Sequence, residues 1–192
     1  MEGHYLRVGM QCSSTRALGP GNRYVVWLQG CCRRCYGCAS PEFQEMEGGE
    51  LVSVESLADR ICATEGIDGI TFSGGEPMLQ KEALYELISN VRTRRPELTI
   101  IVFTGFLKED FHSEYSRKIL DSIDLLVDGE YFYEQNDNKG LRGSANQRLH
   151  FLTDRLAGHK DNLEGGKRIY DMHAVGENEL WTIGIAPSRG RK

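Results

Sequence analysis

The stretch Ile67-Asp68-Gly69-Ile70-Thr71-Phe72-Ser73-Gly74-Gly75-Glu76-Pro77 runs from a short strand-like segment straight into a glycine pair, a carboxylate and a proline. Ile67–Phe72 is rich in β-branched and aromatic residues and reads as a strand. Beyond Pro77, residues Lys81–Arg94 place Ala83, Leu84, Leu87, Ile88 and Val91 at the spacing of one helical face, and Pro96 marks the stop. Leu98–Phe103 is almost wholly apolar, as in a strand buried on both faces. Strand, helix and strand in that order predict a parallel pair, because parallel neighbours need a crossover connection.

The alternation extends outward in both directions. Towards the N-terminus, Tyr5–Met10 alternates apolar and polar residues and Tyr24–Leu28 is dense in β-branched and aromatic ones, so both predict strands. Between Cys31 and Glu50 no period is visible, which predicts a loop. Ser53 then caps a helix over Val54–Cys62, with Val54, Leu57, Ala58 and Ile61 on its apolar face. Towards the C-terminus, a helical stretch through Tyr115–Leu120 leads to a buried strand at Ile123–Val127. From Gly129 the periodicity fades. Tyr131–Gln147 reads as a long polar loop, Arg148–Leu156 as a short element, residues 157–178 as a mobile connection and Leu180–Ala186 as a final strand. The expectation is a single α/β domain over residues 1–192 built on an open parallel sheet of about five or six strands.

Composition narrows the function. At 192 residues, with 40% apolar and 27% charged, the chain has room for one real core. Its 23 Lys+Arg against 28 Asp+Glu leave a net charge of −5, the wrong sign for a protein held to a phosphate backbone, so no nucleic-acid polymer is expected as partner. No apolar run approaches the ~20 residues of a bilayer span. Met1-Glu2-Gly3-His4-Tyr5 lacks a basic flank and apolar core, so a cytoplasmic protein with no membrane partner is expected. Six cysteines are too sparse for a disulfide scaffold.

The chemistry concentrates in Cys31-Cys32-Arg33-Arg34-Cys35-Tyr36-Gly37-Cys38. Cys31, Cys35 and Cys38 form C-x3-C-x2-C in a tight loop, a spacing that lets three thiolates wrap one face of an iron–sulfur cluster. Three ligands on a [4Fe–4S] cube leave one iron open, which is a catalytic arrangement by the logic that separates open from closed metal sites. A structural zinc site is the alternative, with Cys32, Cys12 or Cys62 as fourth ligand; those three cysteines otherwise have no assigned role. Arg33, Arg34 and Gly37 make the loop polar, which disfavours buried structural cysteines. The pair Arg33-Arg34 reads as a solvated face that offsets a negative cluster.

The second feature is Gly74-Gly75-Glu76-Pro77 at the carboxyl end of a parallel strand. Paired glycines let a ligand approach backbone closely where α/β sheets bind small molecules, and Glu76 offers a carboxylate for an ammonium group. The competing reading is an ordinary strand-to-helix turn with Pro77 at a helix start. Thr104, at the end of the Leu98–Phe103 strand, reads as a contact to a ligand in this crevice or as a strand-end turn, and Asp128 also ends a strand and either faces the crevice or caps neighbouring backbone amides. The histidines at positions 4, 112, 150, 159 and 173 show no metal-ligand spacing.

Taken together, the two motifs make the chain resemble the radical S-adenosylmethionine enzymes, in which C-x3-C-x2-C binds a [4Fe–4S] cluster and Gly-Gly-Glu-Pro lies against the methionine part of the cofactor. The resemblance extends towards the activating proteins of anaerobic (class III) ribonucleotide reductase, a glycyl-radical-enzyme activase family. It is carried by Gly19-Pro20-Gly21, Leu28-Gln29-Gly30-Cys31, Thr104-Gly105-Phe106, Leu126-Val127-Asp128-Gly129 and Arg142-Gly143-Ser144-Ala145-Asn146-Gln147-Arg148, and weakly by Ile183–Pro187. Gly37 before the third cysteine follows the activators, whereas Cys38-Ala39-Ser40-Pro41 departs from them.

The resemblance implies an incomplete (βα) barrel with its site at the carboxyl ends of the strands. It implies Cys31, Cys35 and Cys38 as cluster ligands and Gly74, Gly75, Glu76 and Pro77 at the methionine end of S-adenosylmethionine. The backbone of Gly37, Cys38 and Ala39 would lie near the adenine, with Thr104 also at the cofactor. The implied reaction is reductive cleavage to a 5′-deoxyadenosyl radical. The implied partners are a glycyl-radical enzyme as protein substrate and a low-potential flavodoxin or ferredoxin as electron donor. Ser144, Asn146 and Arg148 close the site or dock the partner. Two other functions stay open: the same cofactor acting on a small molecule or peptide, and a non-catalytic zinc-binding module.

Overall fold

The computed structural model describes residues 4–175 and 179–184, with side chains left undescribed at 174–180. A seven-stranded mixed sheet forms its centre, in the order β3-β1-β2-β4-β5-β6-β7. The strands are β1 (Tyr5–Thr15), β2 (Arg23–Leu28), β3 (Glu50–Ser53), β4 (Gly69–Gly74), β5 (Thr99–Phe103), β6 (Leu125–Asp128) and β7 (Arg148–Phe151). β2, β4, β5 and β6 run parallel, and the expected strand-helix-strand alternation supplies them.

The sheet is not wholly parallel, and its flanks differ from the sequence reading. β1 pairs antiparallel with β2 because the short connection Arg16–Asn22 cannot make a parallel crossover. β3 adds an antiparallel strand outside β1, where only Leu51 and Val52 offered an apolar signal. β7 pairs antiparallel with β6.

Three helices cover one face of the sheet. α1 (Val54–Ala63) starts at Ser53, whose hydroxyl accepts from the Ser56 amide at 3.2 Å. It buries Val54, Leu57, Ala58 and Ile61 as expected. α2 (Lys81–Arg94) has the bounds read from the sequence and buries Leu84, Leu87, Ile88 and Val91, each contributing about 1.5–3 kcal/mol. α3 (Glu114–Leu120) is capped by Ser113 and buries Ile119. These helices pack on Val26, Leu28, Ile70, Phe72, Ile100 and Val102 in the main core.

The alternate residues of the same strands face the other way. Val25 and Trp27 meet Phe43 and Ile183, while Ile101, Leu125 and Val127 meet Leu141, Leu156 and Leu163. Leu163 comes from α4 (Lys160–Gly165), inside the stretch expected as a mobile connection. That stretch also begins a two-stranded hairpin, β8 (Asp171–Val175) with β9 (Glu179–Ile183). The expected strand Leu180–Ala186 overlaps β9, and its last two residues lie outside the described ones. Asp171 ties the hairpin down, accepting from the Thr15 hydroxyl and from the Arg16 amide at 2.8 Å.

Buried polar groups lock the amino ends of the parallel strands. Arg23 is fully buried and donates to Thr71 Oγ1 at 2.7 Å, Ile70 O at 2.6 Å and Thr99 O at 2.9 Å. Asp124 accepts from Arg92 at 2.8 Å, the Ile100 amide at 2.7 Å and Thr153 at 2.7 Å. The amino ends are thus a fixed base, which leaves the carboxyl ends and their loops for chemistry. Among the described residues no helix is long and apolar enough to cross a membrane.

Candidate functional site

A cavity of about 1100 Å3, its open mouth included, lies at the carboxyl ends of β2, β4, β5 and β6, on the sheet face opposite α1–α3. Trp27, Ser73 and Phe103 form its floor, and loops after each parallel strand form its walls.

The glycine pair shapes one wall. Gly74 has φ +108°, and a Cβ there would lie 2.4 Å from the Leu28 amide nitrogen. A Cβ on Gly75 would lie 2.3 Å from Gly30 O and 2.6 Å from Phe43 O. The Gly75 amide donates to Leu28 O at 2.7 Å and the Glu76 amide to Gly30 O at 2.8 Å, stitching the end of β4 to the residue before Cys31. The close approach that these glycines permit is therefore first an approach of the chain to itself. It registers the cysteine loop against β4.

Glu76 is 1% exposed and heavily engaged. Its Oε1 accepts from Thr104 Oγ1 at 2.7 Å and from the Met78 amide at 3.0 Å, and its Oε2 from the Gly105 amide at 2.7 Å. Burial pushes its carboxyl above the ordinary value, against these hydrogen bonds and the nearby Arg33 charge. Thr104, expected at the cofactor, orients the carboxylate and lines the cavity beside it. Pro77 is buried at the start of a 3-10 turn over Pro77–Gln80, behind the wall.

Cys31, Cys35, Cys38 and Ala39 all line the cavity. Burial pushes the Cys31 and Cys35 thiols above the ordinary value, against backbone hydrogen bonding. All six cysteines are free. Cys32 is exposed and outside the cavity wall, and Cys12 and Cys62 sit on β1 and α1. Among the described residues no three His, Cys, Asp or Glu side chains converge on a single metal-ion position. Gly37 has φ +68° and lies outside the cavity wall; a Cβ there would sit 2.4 Å from the Tyr133 ring.

Other sequence candidates are engaged in hydrogen bonds within the chain. Asp128 is fully buried and accepts from Arg148 Nε at 2.9 Å and from the Lys108 amide at 2.7 Å. Burial pushes its carboxyl up, yet the hydrogen bonds from Arg148 and Lys108 carry it below the ordinary value. Ser144 Oγ accepts from the Phe132 amide and Asn146 donates to Glu130 O. The sequence reading missed Arg33 and Tyr131 as wall residues, and Thr182, Ile183 and Gly184 from the C-terminal hairpin. Arg33 was read as solvated face, yet its Nε is buried without a hydrogen-bond partner. The strand signal at Leu180–Ala186 was visible, but nothing in it indicated where the hairpin docks.

Residues 17–150 match the family described as 4Fe-4S single cluster domain. The chain is 34% identical over 146 residues to the anaerobic ribonucleoside-triphosphate reductase-activating protein of Enterobacteria phage T4, covering 73% of this chain and 91% of that protein. The protein of the same name from Vibrio cholerae is 33% identical over 70% of this chain and 91% of its own length. The pyruvate formate-lyase-activating enzyme of Clostridium pasteurianum is 39% identical over 65% of this chain and 54% of its own.

Proposed function

This chain belongs to the 4Fe-4S single cluster domain family and to the anaerobic ribonucleoside-triphosphate reductase-activating proteins, and on that premise we propose that it is a radical S-adenosylmethionine enzyme that installs a glycyl radical on a partner enzyme. One observation carries the reading: Cys31, Cys35 and Cys38 open into the same cavity as the Gly74-Gly75-Glu76 strand end. The residues suit the group. Three thiols line one cavity wall, and a buried carboxylate stands nearby with its orientation fixed by Thr104 and Gly105.

When bound there, a [4Fe–4S] cluster and S-adenosylmethionine supply reductive cleavage of the sulfonium, giving methionine and a 5′-deoxyadenosyl radical that takes hydrogen from a glycine Cα. The chain's own work is binding and exclusion. Cys31, Cys35 and Cys38 would hold the cluster. Gly74, Gly75 and Glu76 receive the methionine end, with Pro77 fixing the turn behind them and Thr104 keeping the Glu76 carboxylate aimed. Cys38 and Ala39, which line the cavity, would border the adenine, whereas Gly37, expected there, lies outside the wall. Trp27, Phe103 and Ile183 give the cavity an apolar floor that keeps water from a reactive centre.

The open sheet, with three helices on one face and the cavity on the other, supports an incomplete (βα) barrel as a single domain. A reduced flavodoxin or ferredoxin is the proposed electron donor. The test is anaerobic incubation of the reconstituted protein with S-adenosylmethionine, reductant and an anaerobic ribonucleotide reductase. A glycyl-radical doublet in the electron paramagnetic resonance spectrum is the expected result. 5′-Deoxyadenosine without that doublet would refute this partner and favour another glycyl-radical enzyme or a small substrate.

A further inference from the structure

We propose that Arg33 is a clasp that fastens the cysteine loop onto the carboxyl ends of β5 and β6, closing on a strap formed by residues 129–133. The inference rests on the cysteine loop being the cluster-binding loop. It assigns a positioning role to Arg33, Glu130 and the Arg142–Arg148 segment.

The loop has little internal structure of its own. Its few internal contacts include Cys38 N to Cys35 O at 3.3 Å and the Arg33 amide to Cys31 Sγ at 3.4 Å. Ligands on such a loop are held to productive geometry only by outside support. Arg33 provides it. Its Nη1 donates to Glu130 Oε2 at 2.8 Å and its guanidinium lies over the Phe106 ring, 5.0 Å from the centroid. A Cβ on Gly105 would lie 2.6 Å from Arg33 Cδ, so the glycine leaves the channel for the arginine stem. One side chain thus runs from between two cysteines, across the end of β5, to the segment after β6.

That segment meets the loop at three further points. The Cys35 thiol lies 3.8 Å from Glu130 Oε1. The Tyr133 ring fills the space at Gly37 and takes Tyr36 edge-on at 5.4 Å between centroids. An isolated, partly exposed ion pair contributes little. This one is oriented by stacking on one partner and by anchoring of the other.

The anchoring comes from behind. Gln147 Nε2 donates to Gly129 O at 2.7 Å, Asn146 Nδ2 to Glu130 O at 2.8 Å, and the Phe132 amide to the buried Ser144 Oγ at 3.1 Å. The donor-rich segment that the sequence singled out therefore acts through the strap. Its side chains hold backbone, Asn146 and Gln147 as donors and Ser144 as acceptor, and the strap holds the cysteines.

The test uses Arg33→Met, Glu130→Gln and Asn146→Ala. Hydrogen exchange is read first, on the metal-free chain. Each variant is expected to speed exchange of residues 31–38 by about tenfold, the size of effect that follows loss of a loop's few fixed hydrogen bonds, with α2 unchanged. Unchanged exchange in 31–38 would overturn the clasp. The reconstituted cluster's midpoint potential is read second. Losing the Arg33 cation shifts it negative and losing the Glu130 anion shifts it positive, because nearby charge tunes such clusters. Shifts in the same direction, or none, would overturn the placement of this pair beside the cluster. A chain that takes up no iron would sink the cluster reading alone, since exchange decides the clasp without metal.

Discussion

Replacing Gly75 with Ala tests how the strand end and the cysteine loop are joined. The added Cβ would stand 2.3 Å from Gly30 O and 2.6 Å from Phe43 O, both backbone atoms that cannot rotate away. Ordinary contact needs ~3.5 Å, so the two segments must part by about 1 Å. The bonds that would stretch are Gly75 N to Leu28 O at 2.7 Å and Glu76 N to Gly30 O at 2.8 Å. Each contributes about 0.5–1.5 kcal/mol, and forcing a methyl into closed packing costs about 1–3 kcal/mol. The expected loss is about 2–6 kcal/mol, read as a lower urea midpoint at unchanged slope. Gly158→Ala is the control, because nothing lies within 4 Å of its added Cβ. Its midpoint should move by no more than about 0.5 kcal/mol. A Gly75→Ala protein as stable as wild type would refute the reasoning that the glycine pair fastens the loop.

Three other outcomes follow from hydrogen-bonded polar groups. Arg23→Met leaves Ile70 O and Thr99 O without their donors inside the sheet, and should cost about 2–4 kcal/mol in urea unfolding. Because burial raises the Glu76 carboxyl above its ordinary 4.5, the folded chain holds that proton more tightly than the unfolded one, so this group's contribution falls as pH rises from 4.5 through the folded value. Glu76→Gln removes that slope, and unfolding midpoints taken across pH should show the variant gaining on wild type as pH rises. Asp171→Ala cuts the hairpin from Thr15 and Arg16 and should speed hydrogen exchange in β9 while leaving α2 untouched.

Much of this was legible in the chain. The α2 bounds followed from Leu84, Leu87, Ile88 and Val91, since an amphipathic period states its own length. The parallel core followed from helices that had to cross over. What stayed hidden is tertiary. β3 is held by pairing with β1, and Leu51 and Val52 alone are too short a pattern to announce it. Glu76 was legible as a carboxylate at the end of a parallel strand, but its engagement with Thr104 and Gly105 depends on where β5 ends in space. Arg33 was misread because charge pairs look solvated in sequence, and only the fold shows Glu130 and Phe106 waiting for it. The hairpin's seat on the cavity was equally hidden, because a strand's pattern shows which face is apolar and not what that face covers.

The most direct test of the central claim is the yield of 5′-deoxyadenosine from S-adenosylmethionine after anaerobic iron–sulfide reconstitution and dithionite reduction, compared among wild type, Cys35→Ala and Cys32→Ala. Cys35 lines the cavity and Cys32 is exposed outside it. The account predicts product from wild type and Cys32→Ala and none from Cys35→Ala. Product retained by Cys35→Ala, or lost only in Cys32→Ala, would contradict it.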